Sequence, residues 1–524
     1  MPKTLFELLE ALPDEDVIAV TADALIHAPV VESTDEVQPH GVFVARKGRT
    51  VDGHQFIAKA VERGAAAIVG EQPIEGLPVP YVQVRSSKAA LGLLAAAYYD
   101  FPSRQLVVVG VTGTDGKTTT STMIHSILKL ATGGTTGYIS TIAADIGGRE
   151  LDTGFHVTTP SAPDVQRYLA QMVENGLTHC VLEMTSHGLA EGRLVGVDID
   201  AAVVTNITHE HLDYHGSWDA YRDAKATMFH MLSTSARKAG VRVHRALEAR
   251  VSEQTVPKIA VINVDDKGAS TLLDIPTDVR VIYGIDNDAD CRAEDVVLGP
   301  GGAEFEVGAA KFKLPLFGAF NVYNALAAIG VTRALGANYQ SIYDGLAAVT
   351  AVSGRMQLID EGQPFTAMVD FAHTPNALEK ALQAGRTVIG DGGRLIAVFG
   401  SAGLRDVQKR RMMAETAARM ADITVLTAED PRTDSLDAIL EMMAEGCRSQ
   451  GGVEGETFFR VPDRGEAIFR ACQMARPGDI VMACGKGHEQ SMCFGTIEYP
   501  WDDRDALRAA LRGEPLKTLP TARH

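Results

Sequence analysis

The sequence predicts an α/β protein of three domains, and three observations lead to this fold class. The chain has 524 residues, which is too long for a single hydrophobic core. Runs of Val and Ile alternate with helical patterns, as is typical of parallel sheets covered on both faces. The pattern changes near residues 104 and 352, so we expect domains over residues 1–104, 105–352 and 353–524.

The elements follow in order along the chain. The first domain mixes helices with short strands, "GVFVA", "AAAIVG" and "PYVQV", and ends at the connector "YYDFPSRQ". The second domain has apolar strands in "QLVVVGVTG", "THCVLEMTS", "DAAVVTNIT", "KIAVINVDD" and "DVRVIYGID", then a β-rich patch over residues 297–318 and a helix. The third repeats the strand–helix alternation in "FTAMVDFAHTP", "RLIAVFGSAG", "ITVLTAEDP" and "DIVMACGKGHE".

Composition and charge exclude several classes of protein. A net charge of −18 argues against nucleic acid or an anionic membrane as the main partner. The N-terminus lacks a secretory pattern, and the longest apolar stretch, residues 89–99, is too short to cross a bilayer. The six cysteines form no Cys-x-x-Cys pair, which favours reduced core thiols. We therefore expect a cytoplasmic protein.

A glycine-rich loop follows the first strand of the second domain and precedes a helix. Its residues are Gly113, Thr114, Asp115, Gly116, Lys117, Thr118 and Thr119. Such a loop surrounds an anion with backbone N–H groups, while the lysine supplies charge and the Thr118 hydroxyl can bind Mg²⁺. The standard spacing would put the first glycine at Val111, so this is either a different class of ATP loop or a chance Gly-Lys-Thr.

The compact loop and an ordered set of further motifs resemble the Mur ligase family, the ATP-dependent amide-bond formers of peptidoglycan precursor synthesis. The motifs are "FVARKGRTVDGHQFI", "HVTTPSAPDVQRYL", "VLEMTSHGLAEGRLVGV", "VTNITHEHLDYHGSWDAYRDAKATMF", "GAFNVYNALAA", "SGRMQ", "VDFAHTPNAL", "RDVQKRRMM", "EDPRT" and "GKGHE". The first and the last five point to the branch that adds the third residue, usually a diamino acid, to a UDP-N-acetylmuramoyl-dipeptide.

The resemblance implies a reaction and a division of labour. ATP would phosphorylate the γ-carboxylate of a D-Glu residue, and the amine of the diamino acid would attack the acyl phosphate. It implies a UDP-binding N-terminal domain, a central P-loop ATPase domain and a Rossmann-like C-terminal domain that binds the amino acid. We expect only small-molecule substrates and a monomer.

The resemblance also assigns the ATP and metal residues. Thr118 and Glu183 would hold Mg²⁺, and Glu183, His211 and a carbamylated Lys225 would hold a second ion. The catalytic residues would be Lys117, Glu183, His211 and Lys225. Residues 113–119, Asn324, Arg355, Asp370 and His373 would bind ATP, and Asn321 is a further candidate. Three alternatives stay open: an ordinary imidazole at His211, a solvated lysine at Lys225, and a helix cap or loop role for Asp370.

Substrate residues follow from the same resemblance. Thr34 and the loop Arg49–Val51 would meet the UDP end, while Thr158, Thr159, Thr185 and Arg193 would hold the muramoyl-peptide. Arg405, Asp430, Arg432, Gly485 and Glu489 would bind the added amino acid, with Glu489 taking its distal ammonium. A surface salt bridge is the alternative for Arg432.

Three positions depart from the family pattern. Asp35 stands where an arginine is usual, and residues 230–258 look like an extra surface excursion. Asp430 stands where enzymes for meso-diaminopimelate have Asn. Arg405 and Arg432 favour the distal carboxylate of diaminopimelate, whereas Asp430 favours lysine or ornithine. We predict diaminopimelate.

Three alternative functions make different predictions about the sequence. A Mur-like ligase acting on another acceptor, such as a folylpolyglutamate-type enzyme, should lack "GKGHE" and the first domain's pattern. A P-loop regulatory protein of the GTPase type needs an Asn-Lys-x-Asp motif, which the sequence lacks. A non-catalytic paralogue should have lost Lys117, Glu183, His211 or Lys225, and all four are present.

Overall fold

The computed structural model describes residues 2–48, 51–141, 143–152, 159–208, 212–239, 255–299, 301–390 and 392–522. Its three large sheets confirm the predicted α/β fold class. Two of the predicted site residues, Thr158 and His211, lie outside the described residues, as do Arg49 and Thr50. Among the described helices, none is long and apolar enough to cross a membrane.

The N-terminal sheet has five strands in the order β2-β7-β6-β5-β4. Strands β4 to β7 are parallel, and β2 joins the edge antiparallel to β7. The elements are β1 (Lys3–Thr4), α1 (Leu5–Leu9), β2 (Val17–Val20), β3 (Leu25–Ile26), β4 (Val30–Val31), β5 (Val42–Ala45), α2 (Ile57–Glu62), β6 (Ala67–Gly70), β7 (Tyr81–Val84) and α3 (Ser87–Tyr98).

The central sheet has nine strands in the order β11-β10-β9-β12-β8-β13-β14-β15-β16. A separate three-stranded sheet, β17-β18-β19, forms the predicted β-rich patch. The elements are β8 (Val107–Thr112), α4 (Lys117–Ala131), β9 (Thr136–Ile139), β10 (Ala143–Asp145), β11 (Glu150–Asp152), α5 (Ala162–Glu174), β12 (His179–Glu183), α6 (Ser186–Ala190), β13 (Ala201–Val204), α7 (Leu212–His215), α8 (Trp218–Thr234), β14 (Ile259–Asn263), α9 (Lys267–Ser270), β15 (Val279–Gly284), β16 (Cys291–Arg292), β17 (Glu294–Gly299), β18 (Gly302–Val307), β19 (Ala310–Leu314), α10 (Ala319–Ala334) and α11 (Tyr339–Ala347).

The C-terminal sheet has six strands in the order β20-β21-β25-β22-β23-β24, of which all but β20 run parallel. A hairpin, β26-β27, follows it. The elements are β20 (Gln357–Leu358), β21 (Thr366–Asp370), α12 (Pro375–Val388), β22 (Leu395–Phe399), α13 (Val407–Met420), β23 (Ile423–Leu426), α14 (Leu436–Ser449), β24 (Phe458–Arg460), α15 (Arg464–Met474), β25 (Ile480–Cys484), β26 (Ser491–Phe494), β27 (Ile497–Pro500) and α16 (Asp503–Leu511).

Strand β8 shows why the central sheet is covered on both faces. Val107, Val109 and Val111 pack into one hydrophobic core, while Val108 packs into the core on the opposite face. Because strand side chains alternate between faces, a run of valines supplies both cores at once. The parallel strands β12 and β13 flank β8, so their carboxyl ends meet beside the loop that follows β8. Sheets of this kind bind ligands at that edge.

The predicted surface excursion over residues 230–258 is wrong at both ends. Residues up to Thr234 continue helix α8, and Lys238 and Lys258 are buried. Both ammonium groups bind the buried carboxylate of Asp200, at 2.5 Å and 3.1 Å. The two ends of the segment are therefore anchored in the core; residues 240–254 lie outside the described part of the chain.

All six cysteines are buried and unpaired, in agreement with the prediction of core thiols. Burial raises the pKa of Cys180 to about 12 and that of Cys472 to about 12, so these thiols stay protonated and unreactive at neutral pH.

Candidate active site

A cavity of about 430 Å³ lies at the carboxyl end of β8, between the central and C-terminal domains. The central domain lines it with the glycine-rich loop, Glu183, Thr185, Lys225, Asn321 and Asn324. The C-terminal domain lines the opposite side with Arg355, Asp370, His373 and Glu489. Predicted residues from two domains therefore share one cavity.

Two glycines shape the loop. Gly113 has a φ of 150° and Gly116 a φ of 81°, backbone angles that favour glycine. A Cβ atom at Gly113 would overlap the Thr205 hydroxyl, and one at Gly116 would overlap the side-chain oxygen of Asn324. Both glycines are thus required by conformation and by close packing, which excludes a chance Gly-Lys-Thr on a surface turn.

Strand β13 braces the loop through the residues that follow it. The Asn206 side chain accepts a hydrogen bond from the Asp115 N–H (3.0 Å) and donates one to the Asp115 carbonyl (3.1 Å). The Thr205 hydroxyl donates to the same carbonyl at 2.6 Å. These contacts fix the backbone of the loop at Asp115, and the backbone N–H groups at the start of α4 are available to an anion.

Two lysines donate to carbonyl groups of the loop. Lys117 Nζ bonds the Thr114 carbonyl at 2.8 Å, and Lys225 Nζ bonds the Gly113 carbonyl at 2.6 Å. Lys225 is 1% exposed, and its Nζ lies 4.5 Å from the centre of the Tyr221 ring. The alternative of a solvated lysine at residue 225 is therefore wrong.

Thr118 and Glu183 form a pair of oxygen donors at the floor of the cavity. Thr118 Oγ1 lies 3.0 Å from Glu183 Oε2 and 3.3 Å from Oε1, and the Thr141 N–H lies 3.4 Å from Oε2. A hydroxyl beside a carboxylate suits Mg²⁺, which prefers hard oxygen ligands. Among the described residues, no group of three or more His, Cys, Asp or Glu side chains could hold a metal ion. A complete metal site would need ligands from Thr118, Lys225, a bound phosphate or residues outside the described ranges.

Helix α10 contributes two buried amides. The Asn324 side chain accepts a hydrogen bond from the Thr120 hydroxyl at 3.2 Å and donates one to Asn321 at 2.9 Å. Asn321 donates to the Phe317 carbonyl at 2.7 Å. The chain of amides fixes Asn324 against Gly116, so α10 packs directly on the glycine-rich loop.

The C-terminal wall is built around Phe371. The Arg355 guanidinium lies 4.2 Å from the Phe371 ring centre, and the rings of His373 and His488 lie 4.5 Å and 5.1 Å from it. Burial, together with Arg355, lowers the pKa of His488 to about 3, so this imidazole is neutral at pH 7. Arg355 Nε is buried without a hydrogen-bond partner among the described residues.

Asp370 has a structural role beside the cavity. Its carboxylate accepts the N–H groups of Met356 at 2.7 Å and Ala372 at 2.8 Å. Burial raises its pKa and Arg355 opposes the rise. The loop alternative for Asp370 therefore holds, and the residue still lines the cavity.

Helix α12 touches the glycine-rich loop across the domain boundary. Asn376 Nδ2 lies 3.3 Å from Asp115 Oδ2, and Lys380 Nζ lies 3.9 Å from the same atom. Neither residue was singled out from the sequence. These contacts bring the C-terminal domain to within hydrogen-bonding distance of the loop that would hold the phosphates.

Three predicted muramoyl-peptide residues lie together. The hydroxyl groups of Thr159 and Thr185 are 2.8 Å apart, and Arg193 donates to the Thr159 carbonyl at 2.6 Å. Thr185 and the adjacent Ser186 also line the cavity.

The structure changes the interpretation of Asp35 in the first domain. Its carboxylate pairs with Lys59 at 3.3 Å and Arg63 at 3.0 Å, and the hydrogen bond from Lys59 is the main cause of its lowered pKa. Arg63 also donates to the carbonyl of Thr34. Two cations, Lys59 and Arg63, therefore lie beside the position where a single arginine was expected.

The amino-acid residues surround a buried lysine that the sequence did not single out. Lys486 is fully buried and binds Asp430 at 3.0 Å and Glu489 at 2.5 Å. Although burial alone would lower it, these two carboxylates raise the pKa of Lys486. Asp430 also accepts the Cys493 N–H at 3.0 Å. Asp430 thus already has an ammonium partner within the protein, contrary to the expectation that it would seek one on the substrate.

Arg405 and Arg432, unlike Asp430, are accessible to solvent. Arg405 is exposed and Arg432 partly exposed. Neither makes an ion pair with any residue in the described ranges, so the surface-salt-bridge alternative for Arg432 is not observed. Arg432 has a φ of 53°, and its N–H bonds the Cys493 carbonyl at 3.0 Å. Both guanidinium groups are therefore able to bind a carboxylate of a substrate.

Glu429 is a further residue that the sequence analysis missed. It is buried beside Gly485, where a Cβ atom would overlap its carboxylate. Its Oε2 atom has no hydrogen-bond partner among the described residues. Burial raises the pKa of Glu429 to about 7. The signal was present in "EDPRT", where Glu429 precedes Asp430, but only the fold shows that it is buried.

Three family models match successive parts of the chain. The model described as "Mur ligase family, catalytic domain" matches residues 33–99. The model "Mur ligase middle domain" matches residues 111–332, and the model "Mur ligase, glutamate ligase domain" matches residues 354–487.

Curated proteins and solved structures agree with these matches. A UDP-N-acetylmuramyl-tripeptide synthetase of Roseiflexus sp. (strain RS-1) is 44% identical, over 92% of this chain and 94% of its own. A UDP-N-acetylmuramoyl-L-alanyl-D-glutamate--2,6-diaminopimelate ligase of Geobacillus thermodenitrificans (strain NG80-2) is 39% identical, over 91% and 93%. A solved ligase of the latter name aligns with a TM-score of 0.60 at 28% identity, covering 92% and 94%. A MurF ligase of Thermotoga maritima in complex with ADP shares the fold, with a TM-score of 0.61 at 20% identity over 93% and 97%.

Proposed function

Because the chain belongs to the Mur ligase family, we propose that it joins meso-2,6-diaminopimelate to UDP-N-acetylmuramoyl-L-alanyl-D-glutamate at the expense of ATP. The products are ADP, phosphate and the UDP-N-acetylmuramoyl-tripeptide. The reaction passes through an acyl phosphate on the γ-carboxylate of the D-Glu residue.

One observation carries the proposal: the glycine-rich loop, the predicted ATP residues of the C-terminal domain and Glu489 line the same cavity of about 430 Å³. The other four predicted amino-acid residues, Arg405, Asp430, Arg432 and Gly485, do not line it. A carboxylate oxygen receives the phosphoryl group, and the amine then attacks the carbon of the same carboxyl group and displaces phosphate, so the phosphate site and the amine site must meet. Lys117 and Glu183 lie on one side of this cavity, and Glu489 lies on the other. A regulatory nucleotide-binding domain needs no such junction.

The central domain supplies the groups for phosphoryl transfer. The N–H groups at the start of α4 and Lys117 bind the β- and γ-phosphates and hold them in line with the carboxylate. Thr118 and Glu183 would hold Mg²⁺, with His211 and Lys225 as predicted ligands of a second ion. Mg²⁺ bound there supplies positive charge that lowers repulsion between the two anions. Arg355 then approaches the same phosphates from the C-terminal domain.

The C-terminal domain binds and orients the amine. Arg405 and Arg432 take the distal carboxylate of diaminopimelate, because both are free of ion pairs among the described residues and guanidinium binds carboxylate bidentately. Glu489 takes the distal ammonium while remaining paired with Lys486. The paired state of Asp430 removes the strongest sequence argument for lysine or ornithine.

We further propose that Lys225 carries a carbamate in the active enzyme. Its ammonium is buried against the loop carbonyl of Gly113, in the cavity that also contains Glu183. Loss of one proton to solvent would free the amine, which would form an N–C bond with CO₂ and release a second proton, leaving an anionic carbamate with oxygen ligands. ¹³C NMR of protein equilibrated with ¹³C-bicarbonate tests the idea: we expect a carbamate resonance that is absent from Lys225→Arg.

The function is tested by phosphate release from ATP with UDP-N-acetylmuramoyl-L-alanyl-D-glutamate and a panel of meso-diaminopimelate, lysine and ornithine. We expect release only with the nucleotide peptide and diaminopimelate together, and a product of tripeptide mass. Release with lysine or ornithine instead would show that this amino acid is the one added, and would indicate that Asp430 binds the ammonium group of the substrate. If folded protein that binds ATP releases no phosphate with any of the amino acids, UDP-N-acetylmuramoyl-L-alanyl-D-glutamate is not its acceptor.

Two matched variants separate chemistry from folding. Lys117→Met should abolish turnover, while Lys129→Met, on the last turn of the same helix, should leave it unchanged.

Three further expectations stay predictions: the domain boundaries near residues 104 and 352, the monomeric state and the cytoplasmic location. Light scattering tests the oligomeric state.

A further inference from the structure

Arg464 is fully buried at the start of helix α15 and joins parts of the chain that are distant in sequence. Its guanidinium forms a bidentate pair with Asp503 at 2.7 Å and 2.6 Å. The remaining donors bond two backbone carbonyls, of Cys484 at 2.8 Å and Ala428 at 3.2 Å. Asp503 in turn accepts the Trp501 indole N–H at 2.8 Å.

The two carbonyls lie immediately before the segments that bear the amino-acid residues. Ala428 precedes Glu429, Asp430 and Arg432, whereas Cys484 precedes Gly485 and the segment reaching Glu489. Strands β23 and β25 lead into these segments and are not neighbours, because β22 lies between them. Backbone hydrogen bonds of the sheet therefore do not join the two segments directly.

We infer that Arg464 is a positioning residue for the incoming amino acid: it sets the distance between the Glu429–Arg432 segment and the Gly485–Glu489 segment. This inference rests on the proposed function of the same site. A guanidinium has a rigid planar fork, and a buried one held by a carboxylate has little freedom to move. The two carbonyls it binds are held at a fixed separation, and with them the Lys486 bridge between Asp430 and Glu489.

The chain contains a matched control at the opposite end of the same sheet. Arg394 binds Asp479 at 2.7 Å and donates to the Met474 carbonyl at 2.6 Å. Arg394 and Asp479 precede strands β22 and β25, at the amino ends of the strands. This arginine has the same kind of structural contacts but lies away from the amino-acid residues.

The test compares Arg464→Lys with Arg394→Lys by steady-state kinetics, with each of the three substrates varied in turn. Lysine keeps the charge for Asp503 but cannot reach both carbonyls. For Arg464→Lys we expect KM for the amino acid to rise about tenfold or more, with KM for ATP and for the nucleotide peptide within about twofold. Arg394→Lys should lower the thermal midpoint and leave all three KM values unchanged.

A milder variant, Asp503→Asn, covers the case in which Arg464→Lys fails to fold. It should raise the same KM by a smaller factor. An unchanged amino-acid KM in the folded variants, or an equal rise for all three substrates, would overturn the inference. Wild-type protein without ligase activity would instead refute the proposed function, so the two failures are distinguishable.

Discussion

Glu429 carries a carboxyl group that burial keeps partly protonated near neutral pH, with a pKa of about 7. A folded-state pKa above the unfolded value near 4.5 means that the folded protein prefers the protonated acid. Its contribution to stability is therefore complete below about pH 4.5 and is lost as pH rises through 7. The carboxylate that forms at higher pH is buried beside Gly485 with an unbonded oxygen.

Glu429→Gln should remove this pH dependence, because the amide stays neutral. We expect the variant to gain stability over wild type between pH 5 and pH 8.5, by on the order of 2 kcal/mol. Chemical denaturation across that pH range measures the gap. A gap that is constant or narrows as pH rises would show that Glu429 is ionised at low pH in the folded protein.

Asp430 offers a prediction about amino-acid preference. With Asn at this position, Lys486 keeps only Glu489 as a charged partner, and the pocket loses one negative charge. We expect Asp430→Asn to raise kcat/KM for diaminopimelate relative to lysine by about tenfold, because a less negative pocket attracts the extra carboxylate of diaminopimelate more strongly. Asp422→Asn removes a charge at the opposite end of the sheet and should leave the ratio unchanged. An unchanged ratio in both variants would mean that Asp430 does not influence the choice.

At the scale of elements, the sequence predicted most of the parallel strands because their signal is local. Val107–Val109 and the valines of "DAAVVTNIT" are buried on both faces, and such runs are typical only of covered sheets. The three short strands at one end of the central sheet, β9, β10 and β11, carry no comparable apolar run, and no sequence pattern predicted them. Their pairing is determined by contacts with the rest of the sheet.

The site was predictable where chemistry lies in one short segment and not where it depends on distant segments. Lys117 and Thr118 follow a glycine loop, and their context was visible in the sequence. Lys486 and Arg464 carry no local signal, because a buried cation in a sequence looks like an exposed one. Their importance comes from carbonyls and carboxylates contributed by other elements.

The junction between the loop and α4 gives a prediction at this scale. Gly116→Ala should strain a backbone with φ of 81° and force a methyl group against Asn324. We expect kcat/KM for ATP to fall about 100-fold or more while the fold is retained. Gly134→Ala, just beyond the other end of α4 with φ of 97° and open space around it, is the control for strain alone. Equal kinetic effects in the two variants would assign the loss to strain and not to Asn324.

At the scale of the whole molecule, catalysis depends on how the C-terminal domain meets the central one. Near the loop, Asn376 and Lys380 reach Asp115, at 3.3 Å and 3.9 Å. Beside these polar contacts, Phe317 and Phe320 of the central domain pack against the core of the C-terminal domain. Interfaces between domains of one chain commonly move during a catalytic cycle. We expect substrates to enter and products to leave where this interface opens.

Replacing both residues, as Asn376→Ala with Lys380→Met, should shift the molecule towards an open arrangement. We expect a larger radius of gyration by small-angle X-ray scattering and a kcat about tenfold lower. Lys313→Met, on the small three-stranded sheet, serves as the matched loss of one exposed lysine. A lower kcat with no change in the radius of gyration would assign the effect to lost charge at the phosphates and not to domain closure.

The buried carboxylate of Asp200 has a practical consequence for engineering this enzyme. Lys238 and Lys258 both bind it, so the two ends of the segment between these lysines are anchored in the core. Lys238 also binds the Leu106 carbonyl, and Leu106, Asp200 and Lys258 precede β8, β13 and β14, so both anchors lie at the amino ends of these strands, away from the catalytic cavity at the carboxyl end of β8. We therefore expect a fluorescent reporter inserted between the two lysines to leave turnover unchanged, which would make this position suitable for single-molecule studies of domain closure.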